Sequence, residues 1–567
     1  MPWIGPPPAT RALTRTEPHV RFRRFTFLAL IALLLGVAPT VAHASDPTIT
    51  AVQPRRGAVG AKVFIKGSGL SDASAVAFNG TPAEFTIRSD TTIRTFVPSG
   101  ATSGPVTVTA GTTAESPLPF TVQPNIVLIL TDDQRYDQLG HMPFVQSELI
   151  DKGVDFTNGF VVDPLCCPSR ATILTGKYSH GTDVYSNIYP HGSFRTFVTD
   201  NHEDRSTIAT WLQKVGYDTG IVGKYLNGYS AKRTSYISPG WNTWDVFALN
   251  AGGGGEGQGG YYNYDMSIQG VDTKFGSEPS DYSTDVLSSY ATDFINNAPA
   301  NQPLFLYYAP RAPHGPATPP PRYADALPDL APFRPLAYNE DDVSDKPPYI
   351  QAIEPWSDTK QANEDAFVRK QYQSLMGVDD SVGSIIQALR DTGRLEDTLI
   401  LFASDNGLEL GEHRWLAKKV PYEESIRVPI IARYDALTGG TGSTDPRLVL
   451  NLDFAPTFAA AGGASAPGVE GTSLLPLLDG SASSWRSDFL IEHMDPRTVQ
   501  VPAYCAVRNA DEIYVKYQDG FEELYDLRTD PSELTNVAQD PLYAADKALL
   551  YQRLLDLCQP PPPGYTP

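Results

Sequence analysis

The chain has 567 residues, 41% of them apolar, which is enough for about three compact units with a core each and excludes intrinsic disorder as its main state. With 65 Asp and Glu against 44 Lys and Arg the formal net charge is −21, which argues against nucleic acid as a partner held by phosphate neutralisation. An anionic substrate therefore needs a local basic pocket. The four cysteines, Cys166, Cys167, Cys505 and Cys558, are too few for a disulfide scaffold.

Residues 1–44 read as an export signal. Arg21, Arg23 and Arg24 precede an apolar run from Phe25 to Val41, and Ala42-His43-Ala44 supplies small residues for cleavage. The run is short for an uncleaved membrane anchor, and Arg23-Arg24 fits a twin-arginine route only loosely. Removal of this segment leaves a net charge of −25 and no further stretch that approaches a membrane span, so the mature protein is expected to be secreted, periplasmic or on the cell surface.

From Pro47 to Val122 the sequence alternates, as in Lys62-Val63-Phe64-Ile65 and Val106-Thr107-Val108-Thr109, the pattern of short antiparallel strands. Beyond Pro124, the segments Asn125–Leu130, Leu304–Tyr308 and Leu399–Phe402 lack alternation and predict strands covered on both faces. Between the last two, Tyr372, Leu375, Met376, Val382, Ile385, Ile386 and Leu389 recur at helical spacing and predict core packing. Strands alternating with helices imply an α/β fold, a mainly parallel sheet with ligands at the carboxyl ends of its strands.

Chemistry-bearing residues stand at those ends. Asp132 and Asp133 follow the first buried strand, and Asp405 and Asn406 follow a later one. Three carboxylates and an amide oxygen make a hard donor set suited to Ca²⁺ or Mg²⁺. Between them lies Cys166-Cys167-Pro168-Ser169-Arg170, continuing to Thr175-Gly176. The start of a helix near Pro168 would also put backbone N–H groups beside residue 166, a fitting place for an anion.

Cys-x-Pro-Ser-Arg followed by a small-apolar stretch ending in Thr-Gly resembles the signature of the type I sulfatases, enzymes of the alkaline phosphatase-like superfamily. The resemblance extends over 125–560, through Gly223-Lys224, Ala312-Pro313-His314-Gly315-Pro316, Leu416–Glu424 and the ending Glu523–Leu527 with Asp530-Pro531 and Glu533. The 47–122 section resembles the immunoglobulin-like IPT/TIG module, with Val52-Gln53-Pro54, Gly57, Gly60, Gly67, Gly69 and Asn79-Gly80 in its order. A spacer or packing role is expected for it, with binding of sugar or a cell surface as the alternative. The implied organisation is a signal at 1–44, an Ig-like β-sandwich at 47–122, a catalytic domain at 124–480 on a large mixed sheet, and a smaller α+β subdomain with a Pro-rich tail at 481–567.

The family resemblance implies that Cys166 is converted to formylglycine by a formylglycine-generating enzyme, and that its hydrate attacks the sulfur of a sulfate monoester to give a covalent sulfate ester. The alcohol leaves, and the second hydroxyl then expels sulfate and restores the aldehyde. Asp132, Asp133, Asp405 and Asn406 would hold Ca²⁺, ahead of Mg²⁺, together with residue 166. Arg170 would orient the diol, Lys224 and Lys418 would grip sulfate oxygens, and His314 would donate a proton to the leaving oxygen or bind sulfate. Lys418 is preferred to Lys419 because it lies four residues before Tyr422.

Many arylsulfatases have a histidine where Leu226 stands here, and Asn227 is the candidate replacement as a substrate contact. The segments Gly223–Asn227, Pro239-Gly240-Trp241, Cys166-Cys167 and Lys177–His180 resemble N-acetylglucosamine-6-sulfatases and heparan sulfate 6-O-endosulfatases. A sulfated carbohydrate is therefore the expected substrate, with aryl sulfates as further candidates. The competing readings are a formylglycine-dependent phosphonate monoester or phosphodiester hydrolase, and an inactive glycan-binding protein. His413 is expected to play a structural or supporting role, while His180 and His191 have no assignment. Gly252–Gly260 is expected to be a flexible linker, and Cys505 with Cys558 is a pair that an exported chain could close.

Overall fold

The computed structural model describes residues 46–248, 260–495 and 500–567. The expected export signal lies outside them, as does the glycine-rich run up to residue 259. Among the described residues no helix is long and apolar enough to cross a membrane.

The N-terminal module is a sandwich of two four-stranded antiparallel sheets, with a short parallel pair where Thr121–Val122 meets Arg56–Gly57. Alternation drives it: in Lys62–Ser68, Val63 and Ile65 face inward with Val76, Phe78, Ile93, Val106 and Val108, while Lys62 and Phe64 face outward.

The central sheet has ten strands: β1 (Asn125–Thr131), β2 (Val154–Phe160), β3 (Asp218–Gly223), β4 (Thr243–Phe247), β5 (Asp265–Ile268), β6 (Val271–Lys274), β7 (Leu304–Ala309), β8 (Thr398–Ser404), β9 (Ile430–Arg433) and β10 (Ser443–Leu450). Their order is β6-β5-β4-β3-β7-β1-β8-β9-β2-β10, with β4, β3, β7, β1 and β8 parallel. Helices cover both faces, which is why the central strands lack alternation. Val127, Ile129, Leu306, Tyr308, Ile400 and Phe402 pack under α3 (Ser283–Asn297) and α4 (Asp358–Asp391). Ile126, Leu128, Phe305, Tyr307, Leu399 and Leu401 face α1 (Cys166–Thr175), α2 (Ile208–Lys214) and α5 (Phe454–Gly462). The periodic residues expected at helical spacing lie on α4; Tyr372 and Met376 are only half-buried, whereas the other five are fully packed.

The C-terminal part is a four-stranded antiparallel sheet, β11 (Asp488–His493), β12 (Tyr504–Asn509), β13 (Glu512–Tyr517) and β14 (Glu522–Asp526), with α6 (Ala544–Leu557) against it. A Cys505–Cys558 disulfide ties the end of α6 to β12.

The Ig-like module meets the catalytic part at the amino ends of the parallel strands. Asp397, immediately before β8, accepts hydrogen bonds from the Gly100 amide and the Ser99 hydroxyl, both at 3.4 Å. The Arg56 guanidinium donates to Gly463 O at 2.8 Å, and Gln123 Nε2 donates to Val215 O and Gly462 O at 3.0 and 3.1 Å. Only Gln123 and Pro124 separate the module's last strand from β1.

Candidate active site

The opposite, carboxyl edge carries the chemistry. β1 and β8 are parallel neighbours in register, Thr131 beside Ser404, so Asp132 and Asp405 leave the sheet side by side. The Asp133 amide donates to Asp405 Oδ1 at 3.2 Å from a left-handed backbone with φ 69°. Asp is among the residues that tolerate that region. Cys166 is the first residue of α1, at the positive end of the helix; the next amide, of Cys167, donates to Asn187 Oδ1, Pro168 has no N–H, and the Ser169 amide donates to Leu165 O. Lys224 enters from the end of β3, where only glycine serves at 223: a Cβ there would stand 2.1 Å from Ala309 O, and φ is +116°.

These loops converge on Cys166. Lys418 Nζ lies 2.8 Å from Cys166 Sγ and 3.5 Å from Asn406 Oδ1, and also meets Asp133 Oδ1. Lys224 Nζ bonds both Asp132 oxygens at 2.8 and 2.6 Å, and Arg170 Nε bonds Asp405 Oδ2 at 2.7 Å. Asn406 Nδ2 donates to Asp133 Oδ1 at 2.7 Å, and His314 Nε2 lies 3.7 Å from Asp133 Oδ2. Apart from His314, which is about a quarter exposed, this cluster is buried.

Its electrostatics follow from burial set against charge. Burial pushes the Asp132 carboxyl up, but Lys224, His314, Arg170 and Lys418 outweigh it and hold Asp132 well below the usual range. Asp133 is likewise lowered, against burial, chiefly by Lys418. At Asp405, burial and the neighbouring Asp132 charge prevail over Arg170 and raise it. Burial raises the Cys166 thiol despite both lysines, so the unmodified side chain is a thiol rather than a thiolate nucleophile. His314 is lowered to about 4 by burial, with Arg311 and Lys418 opposing the pull of Asp133.

Nine of the ten site residues named from sequence are thus brought together. The tenth, Asn227, lies three residues after Lys224 and is buried, and its Oδ1 meets no donor. Lys419 turns away to Asp495 at 2.7 Å. His413 bonds Glu340 at 2.7 Å and packs on Tyr422, His180 bonds Glu492 at 3.1 Å, and His191 bonds Asp183 at 2.7 Å. Sequence reasoning missed two residues. Asn187 accepts from the Cys167 amide at 2.9 Å and places its Nδ2 3.9 Å from Cys166 Sγ, and Arg311 lies against His314. Asn187 sits in no motif; Arg311 stands inside the histidine loop, where its proximity was the available signal.

The donor chemistry fits a hard divalent cation. Donor atoms of Asp132, Asp133, Cys166 and His314 lie within 4.8 Å of one another. Asp405 is not among those four; its oxygens accept from the Asp133 amide and from Arg170 Nε. Of these four donors only the neutral Cys166 sulfur is soft, and an oxygen at position 166 would make that position hard as well. The carboxylates Asp132, Asp133 and Asp405 are balanced by Arg170, Lys224 and Lys418, so an added divalent cation would leave the pocket positive and receptive to an anion.

A helix-covered mixed sheet with carboxylates on adjacent strand ends and a cysteine at the head of a helix is an alkaline phosphatase-like fold. The sulfatase family model matches residues 124–464, a model described as N-sulphoglucosamine sulphohydrolase, C-terminal, matches 411–559, and the IPT/TIG domain model matches 47–122. This chain belongs to the sulfatase family and is a sulfuric ester hydrolase. It is 32% identical to human N-acetylglucosamine-6-sulfatase over 74% of this chain and 82% of that protein. It is 33% identical to an extracellular sulfatase SULF-1 homolog of Drosophila melanogaster, over 65% of this chain and 33% of that one. Among solved structures, a protein in complex with its substrate D-glucosamine-2-N,6-O-disulfate aligns with TM-score 0.67 at 24% identity, covering 77% of this chain and 98% of that one. Phosphonate monoester hydrolase of Agrobacterium radiobacter shares the fold at TM-score 0.61 and 23% identity, covering 77% and 96%.

Proposed function

We propose that this chain is an exported, calcium-dependent sulfatase that removes 6-O-sulfate from N-acetylglucosamine or a related sulfated glycan, with residue 166 as formylglycine. The observation that carries the reading is the position of Lys418 Nζ, 2.8 Å from Cys166 Sγ, at the head of α1 and among carboxylates. A sulfate group seated on residue 166 would meet the Lys418 ammonium and the positive end of α1 together. The substrate class is supported by the 32% identity to an N-acetylglucosamine-6-sulfatase across most of both chains. Export is supported by the sequence of residues 1–44 and by the likeness to extracellular sulfatases.

When present, the aldehyde hydrate and cation would supply an oxygen nucleophile and its activation, with Asp132, Asp133, Asp405 and Asn406 as the cation's oxygen ligands. The protein's own groups do the rest. Lys418 and Lys224 bind sulfate oxygens through charge-assisted hydrogen bonds, while Arg170 anchors Asp405 and balances its charge. His314, held neutral by its low pKa, offers a ring N–H to the substrate oxygen that gains charge as the S–O bond lengthens. The test has two arms. Mass analysis of the peptide containing residue 166 from exported protein is expected to find the aldehyde in place of the thiol. That protein is expected to release sulfate from N-acetylglucosamine 6-sulfate, with loss of activity on chelation and recovery with Ca²⁺. Faster hydrolysis of an aryl phosphonate monoester than of any sulfate ester would transfer the assignment to phosphonate hydrolysis.

A further inference from the structure

Arg311 is buried, only 3% exposed, in the loop that leaves β7, and forms no ion pair among the described residues. Its Nε and Nη1 meet no acceptor, and its Nη2 lies 3.1 Å from His314 Nδ1. The other deeply buried guanidinium groups beside the site are paired with carboxylates, Arg170 with Asp405 and Arg135 with Asp137 and Glu412. An unpaired buried cation is costly, so its placement calls for a role in what it touches.

His314 Nδ1 has two neighbours with opposite demands. Gly315 O, 2.8 Å away, can only accept, whereas the Arg311 guanidinium can only donate. A proton on Nδ1 would satisfy Gly315 and point an N–H at a cation. A bare Nδ1 accepts a charge-assisted hydrogen bond, roughly twice as strong as a neutral one, and puts the ring proton on Nε2. Nε2 is the nitrogen on the side of Asp133, 3.7 Å from its Oδ2.

We propose that Arg311 is a positioning residue that fixes His314 as the Nε2–H tautomer, so that the substrate's bridging oxygen meets a hydrogen-bond donor. The loop is stiffened for this: the Tyr261 hydroxyl donates to His314 O at 2.7 Å, and the His314 amide donates to Arg311 O at 3.0 Å. With Nδ1 occupied in this way, Nε2 is the ring nitrogen left to donate to the departing oxygen. The inference rests on the placement of His314 at the substrate under the proposed function.

Nitrogen-15 NMR of histidine-labelled protein tests it without turnover. The His314 signals are those lost in His314→Gln, and Nδ1 is expected at the shift of a bare, accepting ring nitrogen. A proton-bearing Nδ1 in the wild-type protein would overturn the proposal. For turnover, Arg311→Ala is expected to lower kcat by about 10- to 100-fold with KM changed far less, and Arg311→Lys to retain more activity. Guanidinium ion added to Arg311→Ala is expected to restore most of the loss, while urea, of the same shape but uncharged, restores none. Equal rescue by urea would reduce Arg311 to a packing group and sink the proposal. Wild-type protein with the bare-Nδ1 signature but no sulfate release would instead refute the functional assignment and leave the tautomer assignment standing.

Discussion

Lys418 and Lys419 are adjacent in the chain, yet one ammonium touches Cys166 and the other goes to Asp495. Lys418→Ala is expected to cut kcat/KM for sulfate release by about a hundredfold or more, the cost of removing a buried group aimed at developing charge. Lys419→Ala should leave kcat/KM within a few-fold. Comparable losses in the two variants, measured by sulfate release on matched, folded protein, would contradict the assignment. Most of the cluster was legible because its residues sit in separated motifs at strand ends, where topology forces convergence. Asn187 and Arg311 were not: Asn187 meets the Cys167 amide through tertiary packing from outside any motif, and Arg311, though inside the histidine loop, shows its contact with His314 only in the fold.

Between the elements lies a buried carboxylate knot that no sequence pattern announced. Glu409 and Glu412 come from the loop after β8, Glu423 and Glu424 from the helix Glu423–Ile426, and Glu533 from the loop after β14. Arg135 bonds Glu412 at 2.8 Å, Arg508 bonds Glu423 at 2.9 Å, and the Glu423 amide donates to Glu533 at 2.9 Å. Both Glu409 oxygens lack a partner, and burial with the Glu424 and Glu412 charges raises Glu409 well above the usual range. Glu424 is pushed up to about 8 by burial and by Glu412. The folded protein thus keeps protons that the unfolded chain releases near 4.5, so this knot's contribution to stability is greatest below that pH and falls as pH rises toward 8. Thermal melts are expected to give a higher Tm at pH 5.5 than at pH 8, and Glu424→Gln should narrow the difference by raising the value at pH 8. A Tm difference unchanged in that variant would remove Glu424 as the source. The strands and α4 were readable from periodicity, but the knot joins segments over 100 residues apart and each glutamate alone looks solvated.

At the scale of the whole molecule, the sequence announced a sandwich followed by a catalytic fold but could not say where one docks on the other, since that depends on surface fit. The structure puts the contact at Asp397 and Gly463, at the amino edge, with Asp132 and Asp405 at the carboxyl edge of the same strands. Seven-residue strands span roughly 20 Å, enough to separate contact and chemistry. Asp397→Ala is therefore expected to lower stability by about 1 kcal/mol in denaturant titration, through two lost hydrogen bonds, and to leave kcat/KM within twofold. A tenfold fall in kcat/KM would mean that the interface reaches the reaction.

That opposition of edges gives the protein a front and a back. A support coupled near Asp46 would hold the molecule through the module, which docks at the edge opposite Asp132 and Asp405. An enzyme mounted in this way keeps its working face open to polymers too large to slip between it and its support, and attachment through the opposite end should shut them out.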